Sequence, residues 1–272
     1  LTNQLGAAVM HTLNQLDISG RALKTLLIRT NRAGEARWQL YVKDESFPVA
    51  DFFRALPKQW QTGDVQGEII YSNPKSPASV ITRRLSTTPA PLTDSLLGIT
   101  YRYATESFFQ INLPLYERTL RDIASWLPED TPVVDLYSGV GTIGLSVAGD
   151  RPLTLVEINE AAVQEMQANI VQLGRQQSAR AILAASEQAL DVITPEATVI
   201  VDPPRAGLHE DVVRQLLASR PKRIIYLSCN PVTQARDIMR LSERYGIRAH
   251  QGYNYFPRTP HIEHLAVLDT IL

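Results

Sequence analysis

The chain has 272 residues, 44% of them hydrophobic, with a formal net charge of −1 and a single cysteine, Cys229. That length and composition admit a sizeable core, in one large domain or two smaller ones. One cysteine excludes an internal disulfide framework and a multi-cysteine metal site, so no bound metal and a reducing, cytoplasmic setting are expected.

The N-terminus starts at Leu1 and not Met, which reads as a fragment of a longer chain, and it lacks the basic-then-apolar order of a signal peptide. Residues 1–17 predict a helix, with Leu5, Val9, Leu13 and Leu16 near helical spacing. Two β-rich runs, 23–30 and 36–42, flank a hairpin loop at Asn31–Glu35. A short helix over 47–56 and two strands over 67–71 and 79–84 complete an α+β unit with an expected antiparallel sheet. The Pro-rich stretch Thr87–Pro91 marks the boundary, which divides the chain into a domain over 1–95 and a second over 96–272.

After Tyr101 the rhythm changes. A helix over 115–126 is followed by strands at 132–136, 153–156, 180–184, 198–201, 223–228, 247–253 and 263–268. Helices at 143–148, 160–173, 209–219 and 231–245 lie between them. This alternation predicts an α/β domain with a mostly parallel sheet covered on both faces, which binds ligands beyond the carboxyl ends of its strands. No run approaches the roughly 18 apolar residues of a membrane span, so no membrane partner is expected. Charge is uneven: residues 1–99 carry net +3, 100–204 net −8 and 205–258 net +6. A basic stretch beside an acidic one can form a phosphate-facing surface, or simply solvated helix faces.

Gly139, Gly141 and Gly144 form G-x-G-x-x-G after a strand and before a helix. That pattern admits a nicotinamide nucleotide, and therefore an oxidoreductase. Two carboxylates favour another ligand. Asp135 ends the strand before the glycines, where it repels a pyrophosphate but suits an ammonium. Glu157 ends the next strand, 22 residues on, where it can accept both ribose hydroxyls. An amino acid joined to a nucleoside is S-adenosyl-L-methionine.

Three further segments end strands or begin one: Asp202-Pro203-Pro204-Arg205, Ser228-Cys229-Asn230-Pro231 and Phe256–Glu263. A lone thiol at a strand end is a candidate nucleophile. C5 of uracil is weakly nucleophilic, and a thiolate adding to C6 turns the ring into an enolate that C5 can use. A base must then remove the C5 proton. Asp202 can accept from N3–H of a base or bind cofactor. Arg205 can hold a phosphate or brace Asp202. His261 and His264 beside Glu263 read first as packing or hydrogen-bonding residues.

These segments, together with Ser107–Asn112 (SFFQIN) and Val156–Asn159 (VEIN), resemble the RNA uracil-5-methyltransferase family in family order over residues 100–272. The resemblance implies a Rossmann-like class I methyltransferase domain with a seven-stranded sheet. It implies S-adenosyl-L-methionine as cofactor, and transfer or ribosomal RNA as partner and substrate. It makes Cys229 the nucleophile and Glu263 the proton acceptor, and it sets Gln110, Tyr137, Gly139, Gly141, Thr142, Glu157 and Asp202 at cofactor or target-base contacts. Target flipping out of the stack fits attack at C6. The iron–sulfur cysteines and the β-barrel of many relatives have no counterpart in these residues. Thr142 stands where some relatives have Asn, Ser186 where an acidic residue is common, and Arg258 and Pro260 fall in a segment usually reading Phe-Pro-His-Thr. An RNA cytosine-5-methyltransferase and an RNA-binding or RNA-folding protein with little turnover are the competing expectations.

Overall fold

The computed structural model describes residues 1–271, and its chain divides into two compact units. The first comprises Leu1–Asp94 with Tyr103–Glu106, and the second Ser95–Arg102 with Ser107 onward. The first contains α1 (Thr2–Gln15), β1 (Leu23–Thr30), β2 (Ala36–Val42), α2 (Val49–Ala55), β3 (Val65–Tyr71) and β4 (Arg83–Arg84). Its sheet runs β1-β2-β3-β4, with β1 and β4 antiparallel to their neighbours but β2 and β3 parallel. The expected all-antiparallel sheet is therefore corrected. The chain leaves β2, crosses through α2 and returns at the end where β2 began, and such a crossover can only lay down a parallel strand. The strand expected over 79–84 shrinks to two residues.

α1 buries Leu5, Val9 and Leu13 against Trp38, Leu40 and Phe52, as its spacing predicts, while Leu16 packs at the rim of this core. The other face of β2 is buried too, but polar. Gln39 donates to Glu68 at 2.7 Å and to Glu106 at 2.9 Å, and Arg84 bridges the same two carboxylates.

A hairpin unread in the sequence follows: β5 (Leu92–Leu96) and β6 (Ile99–Tyr103), whose turn residues Leu97 and Gly98 both have positive φ, at 53° and 81°. Two consecutive left-handed residues match the twist of a tight hairpin.

The second unit continues with α3 (Leu113–Ser125), β7 (Val133–Leu136), α4 (Thr142–Val147), β8 (Leu153–Glu157), α5 (Glu160–Gln172) and β9 (Ala179–Leu183). It ends with β10 (Thr198–Val201), α6 (Glu210–Ser219), β11 (Arg223–Ser228), α7 (Pro231–Leu241), β12 (Tyr245–Tyr253) and β13 (Glu263–Thr270). The seven strands are ordered β12-β13-β11-β10-β7-β8-β9. All neighbouring pairs are parallel except those of β13, which is antiparallel to both β11 and β12. This is the expected Rossmann-like sheet. Every residue of β7 and β10 is buried, as strands covered on both faces require. The order reverses between β7 and β10, so the crevice for a ligand opens above those two strands. Among the described residues no helix is long and apolar enough to cross a membrane.

Gly67 of β3 lies under the Trp38 indole: a Cβ there would come within 1.8 Å of the ring. Trp38 is fully buried among Phe52 and Phe53 and cannot swing aside. Gly67→Ala should therefore lower stability by about 1–3 kcal/mol through overpacking, measured by urea denaturation. A surface substitution such as Lys58→Ala should stay within about 0.5 kcal/mol of the parent.

Candidate active site

The site is built at the carboxyl ends of β7, β8, β10 and β11 and at the start of β13. After β7 the backbone turns sharply. Tyr137, Gly139 and Gly141 all have positive φ, and Gly141 then caps α4. At Gly141 a side chain would meet Leu145 at 2.9 Å and Met166 at 3.1 Å, so strain and space both demand glycine. Asp135 is fully buried. Its Oδ2 accepts from the Gly144 N–H at 2.8 Å, and its Oδ1 is buried without a partner. Burial pushes its pKa up to about 7 against the Gly144 hydrogen bond, with a smaller push from the Glu157 charge.

Glu157 is held at both oxygens: Oε2 accepts from Gly139 N–H at 2.9 Å and Oε1 from Asn159 N–H at 2.8 Å. One lone pair on each oxygen stays open for a ligand. Tyr137 and Glu157 line a cleft of about 680 Å³ with Ile158, Ser186, Glu187, Pro204 and Leu208. Ile158 offers an exposed apolar face there, at 69% accessibility. Thr142 is bonded instead to the buried Tyr116 hydroxyl at 2.9 Å, so it fixes α4 against α3.

A second cluster forms where β11 meets β13. The last antiparallel pair there is Ser228 with His264; Cys229 follows Ser228 in the bend after β11, and Glu263 precedes His264 as the first residue of β13. Glu263 is buried, and burial raises its pKa to about 7 while the Arg205 charge lowers it. Asp202, after β10, is held well above the ordinary carboxyl range by burial and then by the charges of Glu263 and Asp135. Burial also raises the Cys229 thiol, as do Glu263 and Asp202, whereas a hydrogen bond and the charge of Arg205 lower it. Cys229, Glu263, Asp202 and Arg205 therefore share one electrostatic neighbourhood.

Gln110 is buried, and its Oε1 accepts from the Ile111 N–H at 3.1 Å. Among the described residues no direct bond joins it to either cluster, but its segment is tied down at Asn112, which donates to the Tyr255 carbonyl at 3.0 Å. Among the described residues no group of three or more His, Cys, Asp or Glu side chains is arranged to hold a metal ion.

The model of the tRNA (uracil-5-)-methyltransferase family matches residues 92–270, well over half of the chain. The chain belongs to that family. Among similar proteins, one from Streptococcus pyogenes serotype M18, named as an uncharacterized RNA methyltransferase, is 38% identical over 186 residues. That match covers 65% of this chain and 40% of the relative. A Mycoplasma mobile RNA methyltransferase is 35% identical over 209 residues, covering 71% of this chain and 56% of its own length. The chain thus spans about two fifths to a half of the curated relatives it matches. The crystal structure of Pyrococcus abyssi tRNA (uracil-54, C5)-methyltransferase in complex with S-adenosyl-L-homocysteine superposes with a TM-score of 0.75 at 26% identity. It covers 96% of this chain and 65% of that one.

Within this uracil-5-methyltransferase family member, two supporting residues escaped the sequence reading. Asp237 of α7 is fully buried and accepts from the Leu208 N–H at 2.8 Å and the Tyr226 hydroxyl at 2.9 Å. It thereby fixes the loop that follows Asp202. Its only signal was an acid on the face of α7 that should be apolar. Asn230 caps α7 and donates to the Arg205 carbonyl at 2.9 Å. In sequence it was only the residue after Cys229.

Asp135 and Glu263 both bind protons in the fold up to about pH 7 that the unfolded chain releases near pH 4. Between those limits the native state holds more protons than the unfolded state, so stability falls as pH rises. Each group should contribute a slope of about 1.4 kcal/mol per pH unit. Denaturation of the ligand-free protein at pH 5, 6 and 7 should show the decline, and Asp135→Asn should flatten it.

Proposed function

We propose that this chain is the catalytic part of an S-adenosyl-L-methionine-dependent RNA methyltransferase. It converts a uridine of transfer or ribosomal RNA to 5-methyluridine through a covalent Cys229–C6 adduct. Residues 96–272 form the methyltransferase domain and residues 1–95 an RNA-contacting domain. The single observation that carries this reading is the end of the β11–β13 ladder, where the last pair, Ser228 with His264, is flanked by the chain's one thiol and a buried, proton-binding carboxyl.

The residues in and beside the cleft fit the cofactor on three counts. The Glu157 oxygens are fixed by backbone and retain open lone pairs for ribose hydroxyls. The buried Asp135 Oδ1 has an unused acceptor, which suits an amino group. Ile158, Pro204 and Leu208 offer apolar walls to a purine. When bound, S-adenosyl-L-methionine supplies an electrophilic methyl group.

The protein's own groups do the remaining work. Cys229 Sγ, as thiolate, forms a bond to C6 of the flipped uracil. The C5–C6 π electrons then pass toward C5 and O4. Asp202, whose carboxyl burial pushes toward the protonated form, offers an acceptor to N3–H and, when protonated, a donor to the O4 on which charge grows. Gln110 supplies further polar contacts to base or cofactor. Once C5 carries its methyl group, Glu263 takes the C5 proton. The electron pair of that C–H bond re-forms the double bond as the S–C6 bond breaks. A carboxyl near pKa 7 suits this duty, being ionised often enough to accept and basic enough to hold the proton.

Turnover of a uridine-containing RNA should be abolished in Cys229→Ser. It should fall about 10²- to 10⁴-fold in Glu263→Gln, with a methylated protein–RNA complex accumulating on denaturing gels. With a 5-fluorouridine stem-loop and cofactor, intact-mass spectrometry should find one RNA joined at Cys229, because fluorine cannot leave as a cation. Full activity in Cys229→Ser would refute the covalent route. 5-Methylcytidine in place of 5-methyluridine would refute the substrate.

A further inference from the structure

Apart from Arg205, the charged groups that act on the Cys229 thiol are both acidic: Glu263 from β13 and Asp202 from the end of β10. A thiolate in that company is disfavoured by burial and by like charge, yet addition to C6 needs one.

Arg205 is fastened in place by its backbone. Its carbonyl accepts from Asn230 Nδ2 at 2.9 Å and from Thr233 Oγ1 at 3.1 Å. Asn230 is the residue after the nucleophile, so nucleophile and anchor are one peptide apart. From that anchor one guanidinium nitrogen donates to His261 Nδ1 at 3.4 Å, two residues before Glu263, and the Arg205 charge acts on both the Cys229 thiol and Glu263. Among the described residues no carboxylate lies within ion-pair distance of it.

We propose that Arg205 is the charge partner that sustains the Cys229 thiolate, its backbone clamped beside the nucleophile by Asn230 and Thr233. This assignment rests on the reading of Cys229 as the nucleophile, and it replaces a phosphate or Asp202 contact as the residue's role. Arginine suits the task because it cannot lose its proton and carries five donors on one rigid fork. The order of events follows. Before addition the cation faces sulfur. After addition the sulfur is a neutral thioether, and the same cation is left to favour the ionised form of Glu263, whose charge it already supports. One fixed cation thus serves two anions in turn, first the nucleophile and then the base.

The single cysteine makes the test direct, because thiol alkylation, located by peptide mass, reports on Cys229 alone. The rate of carboxamidomethylation by iodoacetamide is measured against pH on the full chain, without RNA or cofactor. Arg205→Ala should move the midpoint of the pH–rate curve up by about one unit, which is about tenfold slower labelling near neutrality. Arg205→Lys should recover part of the shift. Arg205→Gln, which keeps length and donors without charge, should behave like the alanine variant. Glu263→Gln should move the midpoint the other way. An unshifted midpoint in Arg205→Gln, with the circular dichroism spectrum and thermal transition of the parent, would overturn the assignment. A shifted midpoint supports it even where no RNA is methylated, an outcome that counts against the proposed function alone.

Discussion

The proposed chemistry depends on the direction of one strand. β13 enters the sheet between β11 and β12 against the run of its neighbours. A parallel strand in that slot would begin at the far end of the sheet. Because β13 is reversed, its first residue arrives where β11 ends. The same register that satisfies the backbone hydrogen bonds ends at Ser228 with His264, so Glu263 and Cys229 both lie just past its last pair. A slip of one residue would turn Glu263 to the other face and bring His264 to the thiol. Leu265, Ala266, Val267 and Leu268 are all buried, so such a slip would also force both packed faces of the strand to repack. Packing over the length of the strand therefore holds the position of one carboxyl.

The site works against its own charge. Asp135, Asp202 and Glu263 are three acids in a small volume, all pushed upward mainly by burial. Partial neutralisation is what lets them coexist. Isolated ionised carboxylates would cost too much in so dry a place, and protonation is the inexpensive escape. For the proposed reaction the outcome is useful, since an acid that shares its proton can both donate to and accept from a pyrimidine edge.

Much of the second unit was legible because its physics is local. β7 and β10 are short apolar runs buried on both faces, and each was read from composition. The glycine loop, Asp202 and Cys229 were placed at strand ends by simple order along the chain. The first unit was less legible. β2 is buried on both faces, with Gln39 and Tyr41 on one and Trp38 and Leu40 on the other. A polar buried layer carries no periodic signal. The parallel pairing of β2 and β3 depends on the path through α2, which composition does not encode. The hairpin β5–β6 turns at Leu97, a residue with no preference for positive φ, so its turn had no signature. The supporting bonds of Asp237 and Asn230 join residues 29 and 25 positions apart and needed coordinates.

The double anchoring of Glu157 has a consequence for affinity. A free glutamate loses rotamer freedom when it grips a ligand, at roughly 0.5–1.5 kcal/mol for an ordered side chain. Here Gly139 and Asn159 have already frozen both oxygens, so that entropy is lost during folding and not during binding. The arrangement also makes the carboxylate a strut between the loops after β7 and β8. The two loops cannot drift apart without releasing it, so the spacing that a ligand must bridge is set before the ligand arrives.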